Sequence, residues 1–182
     1  MQGKTVYKGN CDNLDILIRY PQDGDAYAMC NYINTLSQEK TYITYQGEKI
    51  SLTSEEKYLK KQLIAFKDHK SAQLLIFVNG KLAGISSVDM QEKVKKHIGV
   101  FGISISKEYR GMGLGKQLMK YVLDEAINNL NGLRIISLEV FAENENAIKM
   151  YKNFGFVEYG HLPEGNNYKN KFVDDILMYK VV

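Results

Sequence analysis

The chain contains few cysteines. Cys11 and Cys30 are the two among 182 residues, and their spacing matches neither a metal knuckle nor a redox pair. Two cysteines in a chain of this length do not form the framework of a disulfide-rich secreted domain. The composition therefore argues against a disulfide scaffold and predicts a protein of the reducing cytoplasm.

Long apolar runs are also missing. The first residues, Met-Gln-Gly-Lys-Thr-Val-Tyr, contain no apolar core of signal-peptide length. No stretch approaches the roughly 18 uninterrupted apolar residues that a membrane span requires. We therefore expect neither export nor a membrane partner.

An excess of charge of one sign is absent as well. The formal charge of +3 comes from 24 basic and 21 acidic residues, which are largely interspersed. Such a balance is too small and too mixed to predict a nucleic-acid partner. One basic cluster, Glu-Lys-Val-Lys-Lys-His at residues 92–97, is more simply a solvated hairpin end than a polyanion patch.

What is present predicts a single mixed α+β domain over residues 1–182, because no repeat, low-complexity tract or linker divides the chain. Residues 1–13 are polar and patternless, and we expect an irregular leader or edge there. Apolar periodicity predicts helices over 26–36 and 114–129. A Thr or Ser cap with acids in the first turn predicts a helix over 53–67, and one over 145–153 is predicted to end at Gly155. Strands are predicted over 14–20, 73–79, 81–89, 98–106, 134–141, 156–160 and 175–181.

Two glycine signals refine that prediction. Asn79-Gly80 lies between two β-rich runs and predicts a tight hairpin. Gly99 and Gly102 interrupt the next run, which predicts a bulged or bent strand.

A glycine-rich loop, Arg110-Gly-Met-Gly-Leu-Gly115, joins a predicted strand to a predicted helix. Its spacing excludes two nucleotide motifs, because the third glycine of a dinucleotide fingerprint falls on Lys116, and Gln117 stands where a P-loop needs Ser or Thr. Exposed amides at a helix N-terminus bind anions, and glycines let a phosphate approach closely. The loop alone leaves open a phosphate site or merely a tight turn.

The loop together with a downstream segment resembles the GNAT superfamily of N-acetyltransferases. Arg110-x-x-Gly113-x-Gly115 is similar to that superfamily's acyl-CoA pyrophosphate loop. Residues 138–156, Leu-Glu-Val-Phe-Ala-Glu-Asn-Glu-Asn-Ala-Ile-Lys-Met-Tyr-Lys-Asn-Phe-Gly-Phe, resemble its strand, Asn-x-x-Ala helix and Tyr-x-x-x-Gly-Phe ending. The resemblance is strong over residues 73–160. It implies a mixed, mostly antiparallel sheet of about seven strands flanked by about four helices.

The resemblance also implies acetyl-CoA as the acetyl donor, with no metal. The strand before the loop would pair with pantetheine, the loop amides would take the pyrophosphate, and Asn144 would contact the pantetheine arm. The residues implied for acetyl-CoA binding are Ile103, Ser104, Ile105, Arg110, Gly111, Met112, Gly113, Leu114, Gly115, Lys116, Asn144, Ala147 and Tyr151. Gly111 and Met112 replace basic residues that are frequent in relatives, so the backbone must supply more of the binding.

The implied reaction is direct transfer of the acetyl group to a primary amine in a ternary complex. Tyr151 falls on the position that protonates the leaving thiolate in many members, although a half-buried structural aromatic is the alternative. Glu139 falls on the general base of some members, with an outward charge on a strand, or ordered water as base, as the alternatives. Glu39 lies in the variable region that lines the acceptor pocket, and Phe141 stands where many relatives have Arg.

Three questions stay open at this point. The acceptor is a small amine, an amino-acid-like compound, a polyamine, or a protein N-terminus or lysine. A non-catalytic acyl-CoA-binding module of the same fold is the alternative function. A monomer and a homodimer are both compatible with the predicted edge strands.

Overall fold

The structure, a computed structural model that describes residues 1–11 and 13–182, has eight strands and four α-helices. The strands are β1 (Thr5–Cys11), β2 (Leu14–Arg19), β3 (Ser71–Val78), β4 (Lys81–Met90), β5 (Ile98–Ile105), β6 (Ile135–Phe141), β7 (Val157–Tyr168) and β8 (Lys171–Val181). The helices are α1 (Ala26–Gln38), α2 (Leu52–Lys67), α3 (Leu114–Asn129) and α4 (Glu145–Asn153). The predicted mixed α+β class and the four helices are confirmed.

All eight strands belong to one sheet in the order β1-β2-β3-β4-β5-β6-β8-β7. Neighbours pair antiparallel except β5 and β6, which are parallel. The predicted hairpin at Asn79-Gly80 is confirmed, because Val78 pairs with Lys81 and both turn residues have positive φ. The short basic cluster after β4 contains a 3-10 turn, Lys93–Lys95.

Three predictions for the sheet are corrected. The expected irregular leader contains β1, which pairs with β2 at the sheet edge; its polar residues hid the strand because an edge strand buries little. The two late strands extend into a long hairpin, Val157–Tyr168 with Lys171–Val181, because mostly exposed β7 has no apolar alternation to reveal it. β5 keeps an unbroken register with β4, so it has no bulge on that side.

The helices cover the sheet on two faces. Tyr32 of α1 contacts Ser104 through their hydroxyls at 2.8 Å, whereas a Cβ on Gly115 of α3 would lie 3.6 Å from the Ile105 side chain. Ser104 and Ile105 are consecutive strand residues and point to opposite faces. Therefore α1 and α3 pack on opposite sides. The core lies between these layers, and β3 is buried at every position.

Candidate active site

The sheet opens between its two parallel strands. β5 pairs with β6 only over residues 98–100, where Ile98, Gly99 and Val100 meet Ile135, Ile136 and Ser137. On their other sides, β5 stays paired with β4 up to Ile105 and β6 with β8 up to Phe141. The facing backbone groups beyond Val100 and Ser137 are therefore not paired with each other. Ile103, Ser104 and Ile105 lie along this gap, as does the carboxyl half of β6.

The glycine loop lies where β5 ends and α3 begins. Gly111 and Gly113 both have φ of +79°, and a Cβ built on either would meet nothing within 4 Å. The turn therefore requires glycine for its backbone conformation and leaves open space in front of it. Gly113 is the N-cap of α3 and has no side chain to cap it. The N–H groups of the first turn consequently lack intrahelical partners, as an anion site requires.

The other loop residues differ in whether their side chains are buried or exposed. Leu114 is buried in the core, so only its backbone is available to a ligand. Gly115 packs against Ile105 at an ordinary contact distance. Met112 and Lys116 are exposed. The loop therefore exposes mainly main-chain groups, together with the side chains of Met112 and Lys116, of which Lys116 is a cation.

The Arg110 side chain turns toward α1. Its Nη2 lies 2.5 Å from Oε2 of Glu39, and its Nε donates to the carbonyl of Ile105 at 2.8 Å. The backbone N–H of Lys107 donates to the other Glu39 oxygen at 3.4 Å. The structure thus joins two residues for which the sequence predicted different roles, and Glu39 holds the arginine of the glycine loop. Their separation of 71 positions left no local pattern to predict this pair.

Asn144 is the N-cap of helix α4, which follows the end of β6. The Oδ1 of Asn144 accepts a hydrogen bond from the backbone N–H of Ala147 at 3.3 Å, so the two residues of the Asn-x-x-Ala motif form a helix cap. This contact accounts for the spacing of Asn144 and Ala147 without any ligand. Their contact with a cofactor stays a prediction.

Tyr151 lies on the buried side of α4. Its ring packs edge-on against Phe101, with centroids 5.8 Å apart, and lies 6.1 Å from Phe156. Phe101 is the first β5 residue beyond the last pair with β6, so these rings pack where the strands separate. Burial raises the pKa of Tyr151 to about 12. The phenol therefore keeps its proton at neutral pH, as a proton donor must.

Glu139 faces the opposite side of the gap from Tyr151. Extending the parallel register by two residues would place Glu139 beside Gly102, since Ser137 pairs with Val100. Glu139 is exposed, and a Cβ on Gly102 would meet nothing within 4 Å. The carboxylate therefore borders an open space at the gap, on the face that α1 partly covers.

An aromatic cluster that sequence reasoning missed bounds this face. Tyr42, from the segment between α1 and α2, packs against Phe141 and Tyr168 with ring centroids 5.6 and 5.2 Å apart. The Tyr168 hydroxyl also donates to the carbonyl of Lys40 at 2.9 Å. These contacts tie the long β7–β8 hairpin to the α1–α2 segment. No spacing rule joins residues 42, 141 and 168, so only the fold could reveal them.

A groove of about 870 Å³ lies beside α1. It is bordered by Tyr27 and Thr35 of α1, Phe77 of β3 and residues 106–108. Of the predicted site residues only Glu39 lines it. Neither Tyr151 nor the loop glycines line this groove, which reaches the loop only through Glu39 and residues 106–108.

Two further observations concern the residues that the structure describes. Among them, no cluster of three or more His, Cys, Asp or Glu side chains is arranged to hold a metal. No helix in that part of the chain is long and apolar enough to cross a membrane.

Known proteins resemble this chain in both sequence and fold. The profile described as "Acetyltransferase (GNAT) family" matches residues 31–156. An acetyltransferase of the GNAT family from Streptococcus pneumoniae has 31% sequence identity and a TM-score of 0.84, with 92% of this chain and 99% of that chain covered. The chain belongs to the GNAT acetyltransferase family.

Two relatives with named substrates match as well. The L-amino acid N-acetyltransferase of Escherichia coli K12 is 33% identical over 46% of this chain and 52% of its own length. The spermidine N-acetyltransferase of Vibrio cholerae, solved in complex with CoA and spermine, has 26% identity and a TM-score of 0.75, with 91% of this chain and 95% of that chain covered. The chain spans about half the length of the first curated relatives that it matches.

Proposed function

We propose that the protein is an acetyl-CoA-dependent N-acetyltransferase that transfers the acetyl group directly to a primary amine. The observation that carries this proposal is the gap between β5 and β6, which leads to the glycine-lined N-terminus of α3. An unpaired strand edge suits the amide groups of pantetheine, and a helix N-terminus with open amides suits a pyrophosphate. The two features lie at consecutive positions of one segment, residues 103–116.

The residues fit acetyl-CoA by shape as well as by charge. Side chains at Gly111 and Gly113 would project into the space before the loop amides, so their absence leaves room for phosphate oxygens. Lys116 is exposed at the rim. Arg110 contributes indirectly, because Glu39 and the Ile105 carbonyl hold its guanidinium. The main chain therefore supplies most of the anion binding.

The proposed chemistry uses one side chain on each face of the gap. Glu139, directly or through water, accepts the proton that the acceptor ammonium loses. The neutral amine attacks the thioester carbon, a C–N bond forms, and the C–S bond breaks. Tyr151 gives its proton to the departing thiolate sulfur, and the resulting phenolate regains a proton, directly or through water, as the nitrogen of the new amide loses its second proton. The raised pKa of Tyr151 keeps the phenol protonated until that step.

An assay of thiol release tests the proposal. The protein is mixed with acetyl-CoA and each of several amines, comprising an amino acid, an alkylamine, a polyamine and a peptide with a free N-terminus. We expect acceptor-dependent release of free CoA and an acetylated amine of matching mass. Tight acetyl-CoA binding by calorimetry without transfer to any acceptor would instead support the non-catalytic binding module.

The role of Glu139 has its own test. We expect Glu139→Gln to lower kcat/KM by about tenfold or more, most strongly at lower pH, where few acceptor molecules carry a neutral amine. The pH–rate profile measures this change. Glu143→Gln is the matched control, because Glu143 is also exposed and lies beyond the end of β6. Identical profiles for Glu139→Gln and the parent would leave water as the base.

A further inference from the structure

Glu55 is a largely buried residue whose carboxylate has no ion-pair or hydrogen-bond partner among the described residues. Only 7% of the residue is exposed, and it lies in the first turn of α2, where the helix N-terminus favours an acid. The helix cap is a different residue, because Ser51 accepts from the Ser54 N–H at 3.2 Å. The carboxylate oxygens of Glu55 are not among the fully buried unpaired atoms of that part of the chain, so they remain accessible to a ligand.

The carboxylate lines a pocket of about 440 Å³ at the start of α2. Tyr45, Ile50, Ser51 and Tyr58 line the same pocket, and Lys49 is its one lining cation. No ion pair joins Lys49 to Glu55 among the described contacts. Burial raises the pKa of Glu55, which is the expected result of a carboxylate with no compensating charge. A cationic ligand would supply that charge.

The layer beneath this pocket is also rich in acceptors. The hydroxyl of Tyr58 accepts from the amide nitrogens of Gln73 at 2.7 Å and Gln62 at 3.2 Å. The amide oxygens of Gln62 and Gln73 are buried and have no hydrogen-bond partner. The Asp89 carboxylate accepts from Ser71 at 2.6 Å and from Gln62 at 3.3 Å.

None of those contacts to Asp89 brings a cation. The region under α2 thus holds two carboxylates and two unpaired amide oxygens, with no lysine or arginine ion-paired to them among the described residues. Its electrostatic potential favours a positive ligand and disfavours an anionic one.

The sheet register connects this region to the gap. Gln73 pairs with Ser87, and Ser87 pairs with Gly102, so these three residues form one row across β3, β4 and β5. Two strand spacings, roughly 10 Å, separate Gln73 from Gly102. Open space lies above Gly102, and Glu139 borders the far side of the gap. Gln73 itself is buried beneath Tyr58 of α2, so the row gives only the separation, on the order of 10 Å, that a ligand reaching from the α2 region to the gap must span.

We propose that Glu55 binds a second ammonium group of the acceptor, and that the acceptor is an aliphatic diamine or polyamine. One ammonium group neutralises Glu55, while the amine at the other end of the ligand lies at the gap beside Glu139. This inference rests on the proposed acetyl transfer and specifies its acceptor. An amino acid is a poorer match, because its carboxylate would face an acidic surface.

The test compares two acceptors of equal length. Diaminooctane carries a second ammonium group, and aminooctanol carries a neutral hydroxyl in its place. We expect the parent protein to prefer the diamine by about tenfold or more in kcat/KM, a factor that a charge-assisted contact can supply. Glu55→Gln should reduce that preference to about twofold or less, because the charge-assisted contact is lost.

The adjacent Glu56→Gln is the matched control, since Glu56 is exposed on the same helix turn. The acetyl-CoA KM should be unchanged in both variants. Equal preference for the two acceptors in the parent would overturn the proposal. An equal loss of activity with both acceptors in Glu55→Gln would do the same, because it would indicate a structural role.

Calorimetry separates this inference from the proposed function. Diaminooctane is titrated into the CoA-loaded parent and into CoA-loaded Glu55→Gln, and we expect the Kd to rise about tenfold in the variant. If diaminooctane binding depends on Glu55 but no amine is acetylated, the proposed reaction is refuted and the Glu55 ammonium site is supported. If amines are acetylated but diaminooctane binding does not depend on Glu55, the reaction is supported and the Glu55 ammonium site is refuted.

Discussion

The two faces of the β5–β6 gap present different kinds of groups, main-chain groups on one face and side chains on the other. On the α3 and α4 face, the proposed donor site consists of loop amides at Gly111 and Gly113 and a strand edge at residues 103–105. On the α1 and α2 face, the proposed acceptor site consists of side chains, among them Glu139, Glu55 and the aromatic cluster of Tyr42, Phe141 and Tyr168. In this proposal, main-chain groups on one face bind the acetyl donor, and side chains on the other face bind the acceptor.

This difference explains how one fold can keep a donor and vary its acceptor. Main-chain amides tolerate many side-chain changes so long as the glycines keep φ positive. A site made of side chains from α2, β4 and β6 changes with each substitution. Tyr151 is the exception on the donor face, because its proposed role requires a phenol.

Replacing Tyr151 with Phe should give the largest effect. We expect kcat to fall by about 10² or more, the usual contribution of a proton donor, with little change in acetyl-CoA affinity. Thiol-release kinetics and calorimetry measure the two quantities. Because burial raises the pKa of Tyr151 to about 12, the required protonated form is lost only as pH rises toward that value. The parent should therefore show no loss from this group up to about pH 10.

Tyr159→Phe is the control for that variant, since Tyr159 lies on exposed β7. If Tyr151→Phe retained the parental kcat, the hydroxyl would have no part in the reaction. Tyr151 would then be an aromatic that fills the space between the separating strands, and the donor face would be entirely main chain.

A bulky residue at Gly113 should give the next largest effect. Gly113→Val places a branched side chain in front of the loop amides, and we expect the Kd for acetyl-CoA to rise about tenfold or more in calorimetry. Gly132→Val controls for backbone strain, because Gly132 has φ of +76° and open space around it but lies beyond α3. A Kd in Gly113→Val equal to that in Gly132→Val would remove the loop from the donor site.

Removing the Glu39 charge should have the smallest effect. Glu39→Gln weakens the ion pair with Arg110. The Glu39 side chain is 16% exposed and the Arg110 side chain 38%, and ion pairs so accessible to solvent contribute about 1 kcal/mol or less to stability. We expect the acetyl-CoA KM to change by about fivefold or less, with no change in the acceptor KM. A change confined to the acceptor KM would instead place Glu39 in the acceptor site rather than beside the donor loop.

The sequence predicted the elements whose signals are local. Asn79-Gly80 marked a hairpin, apolar periodicity and capping residues marked the four helices, and the glycines of the loop marked a turn before α3. It missed β1 and most of the β7–β8 hairpin, because exposed strands bury too few apolar side chains to alternate clearly. It also assigned Arg110 to the phosphates and Glu39 to the acceptor, whereas the structure pairs these two side chains with each other.

On the proposed acceptor face, even fewer features could be predicted from local sequence signals. Glu55 looked like an ordinary acid in the first turn of a helix, and its burial depends on α2 packing over the sheet. The row from Gln73 to Gly102 depends on strand register, which joins residues 29 positions apart.

By itself, the sequence determined the mixed fold class, the glycine-dependent turn at the start of α3 and the family, because these follow from local conformation and short motifs. The tertiary structure alone decided that β5 and β6 separate after three pairs, that Arg110 is bound by Glu39, and that Glu55 is largely buried with no ion-pair partner among the described residues. Those features arise where segments distant in the chain meet, and their energies depend on contacts and burial that no local pattern encodes.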